Sequence, residues 1–301
     1  MGQKFAVVAI IGLPNVGKST LLNALIGEKL AAVSQTPQTT RTKILGVVNR
    51  GDVQLAFLDT PGIHRARYSL NKRMMEHVET AIAEADLILW VIDADGYHGP
   101  KEQELVERLR QAATPVYLLI NKVDLVSKLR LLEKIVAYKD LAHFREIVPI
   151  GAKAEQNLEP LWEILQRDAP HGDWRYGEDE FTDQTERGLA AEFIREKIFR
   201  KTKEEIPHGI AVIISDWTEG GDDYPTDMEP GGVIIRADVL CDRENHRKIL
   251  LGKGGEMIRD IRQSAQRELK KLLQRPVRLE LFVKADEGWR DKPEKLDRLR
   301  L

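Results

Sequence analysis

The chain has 301 residues, of which 42% are hydrophobic and 31% charged, with a net charge of −2 at neutral pH. That length supports about two domains; the composition excludes a disordered chain, and the near-neutral balance excludes a uniformly basic coat, so affinity for a polyanion has to come from a local patch. One cysteine, Cys241, excludes an internal disulfide and fits a reducing cytosol, and the first apolar run is too short to span a bilayer and carries no cleavage signal.

An apolar run at 5–11 feeds Gly12-Leu13-Pro14-Asn15-Val16-Gly17-Lys18-Ser19-Thr20, which matches GxxxxGK[ST] and opens a helical pattern closed by Gly27. Strand, loop and helix in that order make a phosphate cradle. Glycines let backbone N–H groups face anionic oxygens, the helix presents its positive end, Lys18 adds charge at the outer phosphates, and Ser19 is placed to ligate magnesium. A hydroxyl-rich segment at 34–42 follows, with too few apolar residues to pack. Two β-type runs, 43–49 and 53–58, are joined by Arg50-Gly51-Asp52, which reads as a hairpin turn. Helical spacing then covers 70–85, 100–112, 128–141 and 157–167, alternating with apolar strands at 86–93, 115–120 and 147–150. This alternation predicts an α/β domain with a mostly parallel sheet, whose ligands sit at the carboxyl ends of the strands.

Composition shifts at 169–187, where Pro170, Gly172, Gly177 and five acids from Asp173 to Asp183 read as a linker. The expected division is a nucleotide domain at 1–170, a linker at 171–186 and a second domain at 187–301. In the second part a helix at 187–202, strands at 209–217 and 232–241, helices at 243–251 and 256–274, and a strand at 277–285 give the order α-β-β-α-α-β, a smaller α+β domain.

The strand ends of the first domain carry the chemistry. Asp59-Thr60-Pro61-Gly62 places a carboxylate to hold magnesium through water, and the Gly62 N–H to meet a terminal phosphate. Asn121-Lys122-Val123-Asp124 offers the Asp124 carboxylate to the N1–H and 2-amino groups of guanine. Adenine presents neither donor, so Asp124 selects GTP over ATP. Asn121 is expected to stitch loops together, the Lys122 stem to lie on the base, and in Gly151-Ala152-Lys153 the Ala152 N–H to meet guanine O6.

Over the first 168 residues this set resembles the translation-factor-like GTPases. Their last motif is usually Ser-Ala-Lys, so Gly151 departs from the pattern and only Ala152 and Lys153 carry over. The resemblance implies that a threonine of the 34–42 loop ligates magnesium when a γ-phosphate is present, and both Thr39 and Thr40 are candidates. Ile63 stands where a Ras-like enzyme has its water-orienting glutamine, and isoleucine cannot polarise water, so intrinsic turnover is expected to be slow or assisted. Asn15 matches a position that related GTPases use to hold potassium beside the phosphates, which would offset developing charge.

In the second domain, Gly252-Lys253-Gly254-Gly255 is a GxxG turn between two helices. The α-β-β-α-α-β context resembles a KH domain, whose GxxG loop clamps the backbone of about four single-stranded nucleotides. Residues 243–275 hold ten basic against four acidic side chains, a local excess that suits a phosphate chain; Lys253 and Arg259 are the first candidates. Residues 216–229 carry six acids and no base and read as a loop that phosphate avoids. The competing reading of this half is a docking module for protein or anionic lipid, which would need no GxxG. A GTPase of RNA modification would need a catalytic cysteine, and Cys241 sits within a strand.

The pairing of the two domains, with the 282–291 tail, resembles the Era family of GTPases across nearly the whole chain. The resemblance implies a cytoplasmic GTP/GDP switch, acting as a monomer with magnesium, that binds 16S ribosomal RNA, assists 30S subunit assembly and touches the inner membrane peripherally.

Overall fold

The computed structural model describes residues 2–34, 40–63, 69–96, 99–202, 206, 209–219 and 230–299. The chain divides into two compact units, the first ending at Asp183 and the second built mainly from Gln184 onward.

In the first unit, β1 (Lys4–Ile11), β2 (Ile44–Arg50), β3 (Val53–Asp59), β4 (Leu87–Asp93), β5 (Val116–Asn121) and β6 (Phe144–Pro149) form one sheet in the order β2-β3-β1-β4-β5-β6. β2 runs antiparallel to β3 through the Arg50–Val53 hairpin; the other pairings are parallel. The central strands are apolar on both faces because helices cover both sides, and Trp90, Leu118 and Ile120 lie in the core with Val78, Leu105 and Tyr138 of the helical layers. The helices are α1 (Lys18–Ile26), α2 (Ser69–Glu84), α3 (Pro100–Arg110), α4 (Lys128–Tyr138) and α5 (Leu158–Asp168). α1 stops at Gly27, whose left-handed backbone (φ 80°) returns its N–H to the Asn23 carbonyl. β6 starts three residues earlier than its apolar run predicts. As an edge strand it tolerates Arg145 and Glu146, and a register shift at Val116–Tyr117 accommodates them.

The expected linker is instead a strap on the first unit. Phe5 N–H donates to the Pro170 carbonyl and Gly172 N–H to that of Gln3. The Gln54 side chain takes the Arg175 and Tyr176 N–H groups and donates to the Tyr176 carbonyl. Val47 N–H donates to Phe181 O at 2.9 Å, and Thr182 Oγ1 to Leu45 O at 2.7 Å. Glycines, proline and acids signal a loop, but periodicity cannot show that single polar groups on the β2–β3 edge tie the loop down.

The second unit contains α6 (Glu186–Lys201), β7 (Ile210–Thr218), β8 (Val233–Cys241), α7 (Glu244–Leu251), α8 (Glu256–Leu273), β9 (Val277–Ala285) and a short C-terminal helix α9 (Pro293–Arg298). β7 and β8 are antiparallel, while β8 and β9 pair in parallel after the α7–α8 crossover. Ile261, Ala265 and Leu269, four apart on α8, meet Phe193, Ile194 and Ile198 of α6 in one core. The segment read as an acidic loop begins later than expected: Asp216 to Thr218 belong to β7, and residues 220–229 lie outside the described ones.

Trp289, fully buried, donates its indole N–H to the Gly209 carbonyl at 3.0 Å, and Arg290 pairs with Asp242 beside it. The tail therefore locks the start of β7. Trp289→Ala should destabilise the protein by about 3–5 kcal/mol, read as a lowered urea midpoint, with little change in nucleotide binding.

Candidate functional site

The parallel register brings Ile11, Asp59, Asp93, Asn121 and Pro149 to one edge of the sheet, and the loops that follow these ends gather there. In the first, Gly17 caps α1 with φ 101°; a Cβ at this position would stand 2.2 Å from Asn121 Nδ2, so only glycine lets the two loops touch. Lys18 is buried and its ammonium donates to the carbonyls of Leu13 (2.9 Å) and Gly12 (3.2 Å). Burial lowers its pKa to about 8, against the attraction of Asp59.

The Asp59 carboxyl is wholly buried, which raises its pKa to about 6 against the pull of Lys18 and of hydrogen bonds from Ser19, Thr40 and the Thr60 backbone. Its Oδ2 accepts from Ser19 Oγ at 2.6 Å and from Thr40 Oγ1 at 3.4 Å, and the two hydroxyls are 2.9 Å apart. Asp59 Oδ1 is buried with no hydrogen-bond partner among the described residues. Two hydroxyls thus gather on one oxygen of a carboxylate whose other oxygen is unpartnered, an all-oxygen donor set that suits a hard divalent cation. Of the two candidate threonines, Thr40 stands in this cluster; Thr39 lies outside the described residues.

Thr60 donates to the Ile10 carbonyl, Gly62 lies directly against Pro14, and Ile63 N–H donates to Gly12 O. The Ile63 side chain packs against the core, consistent with its inability to orient water.

Asn121 is the junction of the loops. Its Nδ2 donates to Val16 O (2.8 Å), and its Oδ1 accepts from Lys122 N–H (2.8 Å) and Ala152 N–H (3.0 Å). The Ala152 amide, expected to face guanine O6, is thus engaged by Asn121. Val123 N–H reaches Ile150 O, tying the same loop to the end of β6. Asp124 is exposed at the start of the turn Val123–Leu125. A Cβ at Gly151 would meet Asp124 Oδ1 at 3.1 Å, so the departure from serine gives this carboxylate room. Lys153 is exposed. Asp93, which the motifs do not single out, binds the Lys122 ammonium at 2.6 Å; the available signal was a carboxylate closing an otherwise apolar strand.

In the second unit α7 ends at Gly252 with φ 72°, where a Cβ would sit 2.7 Å from that of Met257, and the backbone reverses through Gly254 and Gly255 into α8. Lys253 projects into solvent from the turn and Arg259 from the first turn of α8. Not every basic residue of 243–275 is available to an anion: Arg275 binds Glu186 and Glu219, and Arg247 binds Glu244. Cys241 is buried, and burial pushes its thiol up to about 12, which removes it as a nucleophile.

A P-loop at the carboxyl edge of a mostly parallel sheet, with a guanine-type base loop beside it and an α-β-β-α-α-β unit carrying a GxxG turn, defines a P-loop GTPase joined to a KH-type domain. The family model described as 50S ribosome-binding GTPase matches residues 7–122, and that of the KH domain matches residues 205–290. GTPase Era of Geobacter metallireducens is 45% identical over 94% of this chain and 92% of its own, and GTPase Era of Heliobacterium modesticaldum is 42% identical over 96% and 94%. Among solved structures, an Aquifex aeolicus Era variant bound to GDP and AlF4− superimposes with a TM-score of 0.93 at 38% identity over 99% of both chains. Era in complex with MgGDPNP and nucleotides 1506–1542 of 16S ribosomal RNA does so at 0.91 and 38%, over 99% of this chain and 98% of that one. The chain belongs to the Era family of GTPases, enzymes that hydrolyse GTP.

The buried charges predict an unusual pH profile for the ligand-free protein. Asp59 holds its proton in the folded state up to about pH 6 but in the unfolded chain only to 3.8, so stability falls as pH rises between those values, by about 3 kcal/mol. Lys18 binds its proton less tightly folded (about 8) than unfolded (10.5), so stability recovers as pH rises from 8 to 10.5. Urea midpoints should therefore pass through a trough at about pH 6–8, and Asp59→Asn should erase its acid flank.

Proposed function

We propose that this protein is a GTP-driven switch that binds 16S ribosomal RNA through its KH domain and assists assembly of the 30S subunit. Asn121 carries the nucleotide half of this reading, since one side chain joins the phosphate loop at Val16, the base loop at Lys122 and the Ala152 loop. The related Era complex with MgGDPNP and a 16S RNA fragment supports the RNA half.

On GTP binding, the phosphate loop from Gly12 to Thr20 offers its N–H groups to the phosphates, and the Lys18 ammonium exchanges the Gly12 and Leu13 carbonyls for phosphate oxygens. Asp124 reads the purine through its 2-amino and N1–H groups, with the Lys122 stem against the ring. Ser19 and Thr40 would hold magnesium and Asp59 would face it, through water or directly. The ion supplies charge compensation at the outer phosphates. Gly62 N–H would meet the terminal phosphate. Because Thr40 and Gly62 belong to loops whose order would depend on that phosphate, hydrolysis releases them. Ile63 cannot orient water; potassium, which Asn15 would help to hold, would offset the negative charge that develops on the phosphates.

The RNA strand would bind at Gly252, Lys253, Gly254 and Gly255, with its phosphates toward the N-terminus of α8 and Arg259. Contact with the inner membrane would be peripheral; no helix among the described residues is long and apolar enough to cross a bilayer. The buried, inert Cys241 is compatible with a cytosolic setting.

Calorimetry should show GTP and GDP binding and ATP failing to compete; ATP outcompeting GTP would overturn the base assignment. RNA affinity should be higher with a non-hydrolysable GTP analogue than with GDP. Lys253→Asp combined with Gly254→Asp should abolish RNA binding while sparing GTP turnover, whereas retention of RNA binding would move the clamp elsewhere.

Steady-state hydrolysis should be faster in potassium than in sodium chloride, and Asn15→Ala should remove the difference. Equal rates in the two salts for the unaltered protein would dismiss the potassium role.

A further inference from the structure

We propose that Asp93 is a positioning residue for the guanine nucleotide: its carboxylate fixes the Lys122 ammonium against the Asn15 carbonyl and so locks the base-reading loop onto the phosphate loop. The inference rests on the guanine-nucleotide reading of the site.

Asp93 is the last residue of β4 and lies in register with Asn121, the last of β5. Its carboxylate is oriented before any ligand arrives. Oδ1 accepts from Asp95 N–H at 3.0 Å, the Asp93 carbonyl accepts from Gly96 N–H at 3.1 Å, and Ala94 N–H is tied to the Asn121 carbonyl at 2.8 Å. This leaves Oδ2 aimed across the strand ends, where it accepts from Lys122 Nζ at 2.6 Å, and the same nitrogen donates to the Asn15 carbonyl at 2.8 Å. The two side chains are only 33% and 25% exposed, so the bond is a charge-assisted one, partly shielded from water.

Both residues held by this ammonium carry backbone strain. Lys122 has φ 66° and Asn15 φ 64°, a left-handed conformation that side-chain-bearing residues adopt at a cost and keep only when their surroundings enforce it. One lysine thus pins a strained residue of the base loop to a strained residue of the phosphate loop, and Asp93 neutralises the charge that does so. Without that carboxylate the long lysine stem regains rotamer freedom, and the apolar surface proposed to lie on the purine ring is no longer held in place. The cost falls on how long the nucleotide stays bound, because the recognition groups themselves are intact.

Release of the fluorescent analogue mant-GDP from the full-length protein, chased with excess GDP, tests this. Asp93→Asn keeps an oxygen for the Asp95 amide but loses the charge. It should speed release about tenfold and raise the KM for GTP by a similar factor, with kcat within about twofold. On a Lys122→Met background, where the ammonium is already absent, the same substitution should add less than about twofold. Release within about twofold of the unaltered protein would overturn the inference, and so would the full effect persisting on the Lys122→Met background, which would mean that Asp93 acts through its own turn. If Asp93→Asn does not fold, Asp93→Ser carries the same outcomes. Failure of the unaltered protein to bind mant-GDP would instead remove the guanine-nucleotide reading itself.

Discussion

The nucleotide site depends on two opposite charges taken out of water. Lys18 and Asp59 are both buried, and each is displaced from its ordinary titration range chiefly by that burial and only partly restored by the other. Their attraction does not repay the desolvation. The ammonium turns back onto two carbonyls of its own loop, and one carboxylate oxygen finds no partner among the described residues. Such a pair is complementary to an anion at the lysine and a cation at the aspartate. A triphosphate with its magnesium ion offers both, so the desolvation that displaces the two charges becomes binding energy for the ligand.

The geometry that aims these charges is set by the sheet. Parallel pairing brings the carboxyl ends of β1, β3, β4 and β5 to one edge, where Asn121 touches the phosphate loop and Ala152, while Asp93 and Lys122 form a second bridge to Asn15. Neither bridge involves the reacting phosphate. They hold the two loops at one spacing, so the guanine selection proposed for Asp124 and the positioning proposed for the phosphates depend on the same few hydrogen bonds.

Much of this could be read from the residues alone. The alternation of apolar runs and helical patterns predicted the elements of both units, because buried parallel strands and amphipathic helices leave strong periodic signals. The motif spacing placed the loops correctly for the same reason: each follows a strand end. The sequence concealed features made by single contacts between distant residues. Gln54 ties down residues 175 and 176, Trp289 caps Gly209, and Asp93 meets Lys122. None of these has a period or a motif, and each becomes visible only when the fold brings the partners together. The choice between Thr39 and Thr40 was likewise beyond spacing; Thr40 Oγ1 stands 2.9 Å from Ser19 Oγ, and Thr39 lies outside the described residues.

The two units use the same local device to different ends. In each, a glycine-bearing turn with a lysine leads into a helix N-terminus, the arrangement that attracts phosphate. Lys18 is buried among fixed partners, whereas Lys253 stands in solvent, where salt screens its charge. A buried lysine commits to one small anion of fixed geometry, because leaving it unpaired is costly. An exposed lysine beside a flexible glycine turn tolerates any phosphate along a strand. The difference in burial suits the first unit to a discrete nucleotide and the second to the RNA strand proposed for it, with sequence preference left to the groups around the turn.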